Sequence, residues 1–265
     1  MRGLLIVLAC LVPAVLPRAA RAAEDCFIVT ELKTARVVAK QGLCAARHSP
    51  VATFDIPLAL IGFDSGVLRS EREPVLDPPR GEPSDAAPLT PRGWATAEAS
   101  WFGTAIATKI GAERLAAYLR AFAYGNENLS GDPGAPDGFA RAWQSSSLAI
   151  SPREQVDFLR KMLNGDLAVS PEAVGRTLTL FRQPEMPAGY ELFGTSGTGY
   201  QRLAEASLDR TRPLGWFVGW VEKDGRTLVF VRFMSLDVAI DEPLGQRARR
   251  QSLGALAAVL GAQGR

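Results

Sequence analysis

Hydroxyl side chains and a single imidazole are the groups in this 265-residue sequence that have the chemistry of a nucleophile and its base. Ser100 and the run from Ser145 to Ser147 are candidate nucleophiles, and His48 is the only histidine. No base stands beside these serines, and a serine hydroxyl is a weak nucleophile without an adjacent base or a lowered pKa. No cluster of metal-binding side chains stands near His48, so we expect neither a metal site nor a cofactor.

Helices are predicted wherever apolar residues recur at helical spacing. The first such stretch, TFDIPLALIGFDSG, carries Asp55 and ends at Gly66. The middle of the chain adds TAIATKIG, AERLAAYLRAFA and SPREQVDFLRKMLNG, in which Ser151 and Glu154 have the spacing of a capping box. A last helix is predicted from about residue 244 to residue 260, whereas the proline-rich and charged residues 70 to 93 predict a long surface connection.

Strand patterns lie at both ends of the chain. FIVTELKTARVVAKQG predicts a hairpin near the N-terminus, and YELFG, GWFVGWVEK and RTLVFVRF predict C-terminal strands with a turn at Asp224-Gly225. Strands at both ends with helices between them predict an α/β (α+β) fold. In this fold, one antiparallel sheet is built from N- and C-terminal strands and flanked by helices.

The N-terminus has the pattern of a secretory signal. Arg2 precedes an apolar run from Leu4 to Leu16, and small residues around Ala22 follow it. The run is too short to span a bilayer comfortably, so we expect residues 1–22 to be a cleaved signal peptide and no stable membrane span to remain. Residues 23–265 would then form the mature domain, in the periplasm or secreted.

Charge and composition limit the function classes. Removing residues 1–22 takes away three arginines and turns the formal charge of +2 into about −1. Nothing strongly basic remains, and we expect no nucleic-acid partner. With 47% hydrophobic and 22% charged residues, the chain has enough apolar material for a full globular core.

Two cysteines, Cys26 and Cys44, flank the predicted N-terminal hairpin. In an oxidising compartment they can close the base of the hairpin as a disulfide. The alternative is a pair of buried free thiols.

Several of these segments together resemble the class D β-lactamases, penicillin-hydrolysing serine enzymes related to the penicillin-binding transpeptidases. The most specific combination is GWFVGW about 20 residues beyond the start of GTSGTG, with YGN upstream. The other matching segments are the cysteine hairpin, TFDIPLALIGFDSG, AWQSSSLAISPREQVDFLRKML and PLGQRARR. The resemblance covers nearly all of residues 23–265 and implies one domain with the β-lactamase and transpeptidase fold.

The family's three catalytic motifs are degenerate in this chain. Where the family has Ser-x-x-Lys, with the serine as nucleophile and a carbamylated lysine as base, this sequence has Ala52 and Asp55. Glu98 starts the segment that matches Ser-x-Val, and Thr195 replaces the lysine of Lys-Thr-Gly. Thr53 is the nearest hydroxyl to Ala52, but one helical step turns it by about 100° away.

The resemblance still implies parts of a substrate pocket. The oxyanion hole would use the backbone N–H groups of Ala52 and Thr198, which survive side-chain replacement. The other residues expected in the site are Ser196 and Arg247 for a carboxylate, Trp143 beside the base position, and Tyr124 and Asn126 at the pocket edge.

The resemblance therefore implies a protein that binds a β-lactam or a peptidoglycan-derived small molecule without hydrolysing β-lactams. One alternative is a β-lactamase that works by an atypical route. Another is altered chemistry on Asp55 and Glu98, which the fold would bring into one cavity, because paired carboxylates raise one pKa and suit acid and base work. Two acids would also oppose binding of an anionic penicillin.

Overall fold

A computed structural model describes residues 22–82, 86–134, 138–202 and 207–262. Residues 1–21, which contain nearly all of the expected signal peptide, lie outside the described residues. No helix in the described part of the chain is both long enough and apolar enough to cross a membrane.

The centre of the fold is a five-stranded antiparallel sheet with the strand order β2-β1-β5-β4-β3. The strands are β1 (Ala22–Glu31), β2 (Val37–Gly42), β3 (Glu191–Arg202), β4 (Leu208–Lys223) and β5 (Arg226–Leu236). The N-terminal strand β1 pairs with the last strand β5, as predicted from the strand patterns at the two ends of the chain. Strand β3 is therefore an edge strand of the sheet, and residues 181 to 183 pair with its first part through the Arg182–Phe193 bridge.

Turn chemistry accounts for the hairpin between β4 and β5. Asp224 and Gly225 both have positive φ, at 50° and 76°. This backbone conformation is that of the two-residue turns whose twist matches the flanking strands. The predicted turn is confirmed.

Seven α-helices and short 3-10 turns cover the sheet in the described part of the chain. The helices are α1 (Asp55–Asp64), α2 (Pro91–Ala97), α3 (Ser100–Ile110), α4 (Ala112–Phe122), α5 (Pro152–Asn164), α6 (Pro171–Leu180) and α7 (Leu244–Ala262). A 3-10 turn, Val51–Phe54, leads directly into α1. Residues 55 to 63 of α1 are all buried, so this helix runs through the core with α3 and α6 against it.

Helix starts follow local capping rules. The predicted capping box of α5 is confirmed, because the Ser151 hydroxyl accepts from the Glu154 N–H and the Glu154 carboxylate accepts from the Ser151 N–H. One boundary was wrong: residues 91 to 93, placed in the surface connection, begin α2. The Thr90 hydroxyl accepts from the Gly93 N–H, and Pro91 occupies the first helical position, where its missing N–H costs nothing.

Apolar side chains form a core on each face of the sheet. On one face, Phe54, Trp143 and Trp216 belong to the cluster that α1 to α6 cover. On the other face, α7 packs against β3, β4 and β5 through residues such as Leu244 and Leu256. The start of α7 therefore reaches β3 from the opposite side to α1.

Cys26 and Cys44 form a disulfide in the structure, with an S–S distance of 2.08 Å. The bond joins β1 to the segment that follows β2. It therefore anchors the chain shortly before the turn that contains Ala52. The predicted disulfide, and not the pair of free thiols, is what the structure contains.

Candidate active site

A cavity of about 420 Å³ lies beside the edge strand β3, next to the 3-10 turn before α1 and the start of α7. Its described lining contains two carboxylates and no lysine, arginine or histidine. The lining residues are Val51, Ala52, Asp55, Glu98, Ser100, Trp143, Gln144, Ser145, Thr198, Gly199, Tyr200, Leu208, Pro243 and Gln246.

Strand β3 approaches the 3-10 turn so closely that only glycine fits at two of its positions. A Cβ atom on Gly197 would lie 2.7 Å from Val51 Cγ2 and 2.9 Å from the backbone nitrogen of Ala52. A Cβ atom on Gly199 would lie 2.6 Å from Ser145 Oγ. The backbone nitrogen of Ala52 therefore lies next to Gly197 of β3, and its role as an oxyanion-hole donor stays a prediction.

Thr53 points into the core, as the helical geometry predicts. Its side chain is completely buried, its hydroxyl donates to the Pro50 carbonyl at 2.6 Å, and it accepts from Gln155 Nε2 at 2.9 Å. Both hydrogen bonds hold the Thr53 hydroxyl in the core, away from the cavity.

Asp55 is the most isolated charged group of the site. Only 4% of its surface is exposed, and its carboxylate accepts no hydrogen bond from any other residue that the structure describes. A Cβ atom on Gly103 of α3 would lie 3.6 Å from both Asp55 Oδ1 and Trp143 Cζ2, so carboxylate and indole meet the same surface of α3. Burial, followed by the negative charge of Glu98, raises the pKa of Asp55 well above its usual value.

Glu98 lies at the junction of α2 and α3, in a left-handed conformation with φ of 52°. Its Oε1 accepts a hydrogen bond from Ser196 Oγ at 2.5 Å. Burial raises the pKa of Glu98, while the Ser196 hydrogen bond and the charge of Arg249 act in the opposite direction. Glu98 and Asp55 thus line one cavity, although 43 positions separate them in the chain.

The hydroxyls of β3 already have partners. Ser196 donates to Glu98, Thr195 donates to the Ser196 carbonyl at 3.3 Å, and Thr198 accepts from the Gly245 N–H at 2.9 Å. The Ser145 hydroxyl, named above as a candidate nucleophile, accepts from the Tyr200 N–H at 3.1 Å. Ser145 thus holds the turn after Trp143 against β3.

Arg247 does not line the cavity. Its guanidinium forms an ion pair with Glu242, at 2.5 Å from Nε to Oε1. Gly245 is the residue of α7 that meets β3, since a Cβ atom there would lie 2.6 Å from the Gly197 carbonyl oxygen. Gly245 could have been predicted to contact β3, because it is the glycine of PLGQRARR at the start of the predicted helix. The contact of Arg247 with a ligand carboxylate stays a prediction.

The three remaining predicted residues have different surroundings. Trp143 is 2% exposed and lines the cavity, with its ring 4.8 Å from Phe54. Tyr124 is fully buried in the core, so it is not among the lining residues. Asn126 lies outside the cavity and fixes a loop, because Nδ2 donates to the Ser147 carbonyl and Oδ1 accepts from the Ala149 N–H, each at 2.9 Å.

Asp55→Asn is expected to stabilise the protein at mildly alkaline pH by about 2 kcal/mol, because a buried carboxylate without partners is costly. The pKa of Asp55 is higher in the folded protein than in the unfolded chain, so the folded state binds this proton more tightly. The free energy of unfolding therefore falls as the pH rises through the folded pKa and Asp55 ionises. Chemical denaturation across pH measures this loss in the unmodified protein and its absence in the variant.

Asp64, at the other end of α1, is the matched control. Partial burial acts to raise the pKa of Asp64, but hydrogen bonds from Tyr118 and Ser170 outweigh it and lower the pKa. Asp64→Asn should therefore remove stability that is present above the unfolded pKa and lost as pH falls. Equal pH profiles for the unmodified protein and Asp55→Asn would contradict the assignment.

Comparison with known proteins places this chain in a family. Residues 26–249 match the penicillin binding protein transpeptidase domain. The chain is 34% identical to β-lactamase OXA-9 of Klebsiella pneumoniae, over 97% of this chain and 98% of that protein. It is 30% identical to β-lactamase OXA-1 of Escherichia coli, over 87% of this chain and 83% of the relative.

Solved structures agree with the sequence relatives. The class D β-lactamase OXA-427 superposes with a TM-score of 0.83 and 38% identity, covering 90% of this chain and 99% of that one. The class D β-lactamase of Bacillus subtilis superposes with a TM-score of 0.70 and 26% identity, covering 92% of each chain. The antiparallel sheet with its flanking helices is thus that of a known fold, and the chain belongs to the class D β-lactamase family.

Proposed function

We propose that this protein is an exported binding protein of the class D β-lactamase family that does not hydrolyse β-lactams. The observation that carries the proposal is the content of the cavity beside β3. An alanine methyl and a buried carboxylate, those of Ala52 and Asp55, occupy the positions that match the family's nucleophile and base. Export rests on the signal pattern in residues 1–22.

The chemistry of the lining argues against acyl transfer. An alanine methyl cannot be acylated, and a carboxylate cannot be carbamylated. The hydroxyls of Thr53, Ser145 and Ser196 are engaged as described above. Thr53 and Ser145 have no base beside them, whereas the Ser196 hydroxyl donates to the Glu98 carboxylate, so acylation of Ser196 is the outcome that the mass measurement has to exclude.

The backbone of the site supports binding. The close approach of Gly197 to the Ala52 backbone supports a backbone donor site here, since replacing side chains leaves backbone N–H groups in place. We therefore expect a β-lactam or a peptidoglycan-derived small molecule to be held weakly and reversibly. Comparing the ligand affinity of Arg247→Ala with that of the unmodified protein tests whether Arg247 contributes to binding once its ion pair with Glu242 opens.

Intact-mass analysis after incubation with benzylpenicillin tests the proposal. We expect no covalent adduct, no loss of the antibiotic and weak reversible binding by calorimetry. The OXA-1 β-lactamase is a suitable positive control for turnover. An acylated protein, or consumption of the penicillin, would show that a serine or threonine of this chain acts as a nucleophile.

A second candidate is altered chemistry on Asp55 and Glu98. The observation that favours it is that the two acids line one cavity and burial raises the pKa of each, which suits a general acid. Glycan hydrolysis is one reaction that uses such a pair. Release of reducing ends from peptidoglycan fragments, lost in both Asp55→Asn and Glu98→Gln, would support this candidate over the first.

A further inference from the structure

The charge of the cavity beside β3 is unusual for a site expected to hold an anion. Among its described lining residues, the ionisable side chains with a formal charge are Asp55 and Glu98. Arg247 is turned to Glu242, and Arg249 lies beyond Glu98 with its guanidinium 2.6 Å from Glu185. Ligand carboxylates would thus meet two acids and no cation within the cavity.

Asp55 provides a second and independent observation. It is 96% buried, it lines the cavity, and no described residue donates a hydrogen bond to its carboxylate. Buried carboxylates are normally paired or hydrogen-bonded, because leaving them without a partner costs free energy. The donor that Asp55 lacks within the protein is what a ligand in this cavity can supply.

The walls of the cavity favour an organic ligand. The Trp143 ring lies beside Asp55 against Gly103, and Val51, Leu208 and Pro243 add apolar surface. A volume of about 420 Å³ is within the range of small-molecule sites. An ammonium group supplies three N–H donors for carboxylate oxygens and is attracted to the face of an indole.

We infer that the cavity binds a small organic cation whose primary ammonium group contacts Asp55 and Glu98 beside Trp143. The inference rests on the proposed binding function and names the chemical group that the cavity recognises best, a primary ammonium group on a small organic ligand. The apolar part of the ligand would lie against Val51, Leu208 and Pro243.

Amine binding should release protons. The two carboxyls hold protons more tightly than free acids do, because burial raises the pKa of both and the negative charge of Glu98 further raises the pKa of Asp55. The Ser196 hydroxyl and the charge of Arg249 face Glu98 and favour its ionised form. An ammonium group at the site needs ionised partners, so affinity should rise with pH until the ligand itself loses its charge.

Isothermal titration of the full chain with benzylamine, benzyl alcohol and benzoate tests the inference, since these three probes share a ring and differ in charge. We expect benzylamine alone to bind measurably at millimolar concentrations, with protons released to the buffer. Asp55→Asn should weaken benzylamine binding by about tenfold or more, which corresponds to about 1.4 kcal/mol. Glu113→Gln, an exposed acid on α4, is the control and should leave binding unchanged.

Three outcomes would overturn the inference. They are no binding of benzylamine, equal binding of benzyl alcohol, and unchanged benzylamine affinity in Asp55→Asn. Displacement of benzylamine by millimolar Ca²⁺ or Mg²⁺ would reassign the acids to a metal. If Asp55→Asn does not fold, Glu98→Gln gives the deciding measurement. Hydrolysis of benzylpenicillin by the unmodified protein is a separate measurement. A positive result there would refute the proposed function, whereas the three outcomes above refute the ligand class.

Discussion

The quadruple variant Ala52→Ser, Asp55→Lys, Glu98→Ser and Thr195→Lys is expected to hydrolyse nitrocefin measurably, and the reaction should depend on added bicarbonate. The four changes rebuild the family's three motifs at once. At position 55 a lysine would be enclosed by the surfaces that now bury Asp55, including Trp143. Burial disfavours a charged lysine, and a neutral amine is the form that reacts with carbon dioxide to give the carbamate.

Ala52→Ser alone is expected to remain inactive. Its new hydroxyl would lie one helical turn from Asp55, whose side chain is shorter than a carbamylated lysine and therefore does not supply the family's base. Glu98 would still hold the Ser196 hydroxyl and oppose an anionic substrate. Catalytic groups that act as a unit lose their effect together, so one restored member regains little.

Nitrocefin turnover, measured with and without bicarbonate, checks this prediction. The matched control is the triple variant that lacks only Ala52→Ser, because it keeps both lysines and has no nucleophile. Comparable hydrolysis by the unmodified protein, by Ala52→Ser or by this triple variant would refute the assignment of the three motifs. Thermal melting of each variant separates loss of activity from loss of fold.

Loss of the Cys26–Cys44 disulfide is expected to lower the free energy of unfolding by about 3 kcal/mol, the value for a closed loop of this size on the chain-entropy model. For a protein of this size the melting temperature should fall by roughly 6–12 °C. The bond ties β1 to the residues after β2, from which the chain passes through the His48–Ile150 bridge to the turn that holds Ala52.

Thermal unfolding with and without a reductant measures this effect. The double variant Cys26→Ser and Cys44→Ser should melt at the lower temperature under both conditions. Because β3 packs on the turn after the bonded hairpin, we also expect the variant to bind ligands in the cavity less tightly. Two titratable thiols in the unmodified, non-reduced protein would contradict the prediction.

Turns and helix starts could be predicted from short stretches of the sequence alone. Asp224-Gly225 predicts its turn because few residue pairs adopt two positive φ values, and Ser151 with Glu154 predicts a helix start because the capping bonds lie within four residues. The pairing of the terminal strands followed from the order of strands and helices. The segments that resemble the class D family supplied the fold and the degenerate motif positions.

The surroundings of the side chains were decided by the tertiary structure. PLGQRARR placed an arginine near the site, but Glu242 pairs with Arg247 and Gly245 is the residue that meets β3. The sequence also cannot show that Ser196 donates to Glu98, because the partners are 98 positions apart.

The same reason applies to the acids of the cavity. Asp55 looks like an ordinary first-turn helix carboxylate, which a helix N-terminus favours and water normally solvates. Only the packing of α3, Trp143 and Glu98 around it removes that water and raises its pKa. The sequence therefore gives the chemical groups that this protein has, whereas only the folded chain shows which of them line one cavity, because burial and long-range contact depend on distances that no local pattern contains.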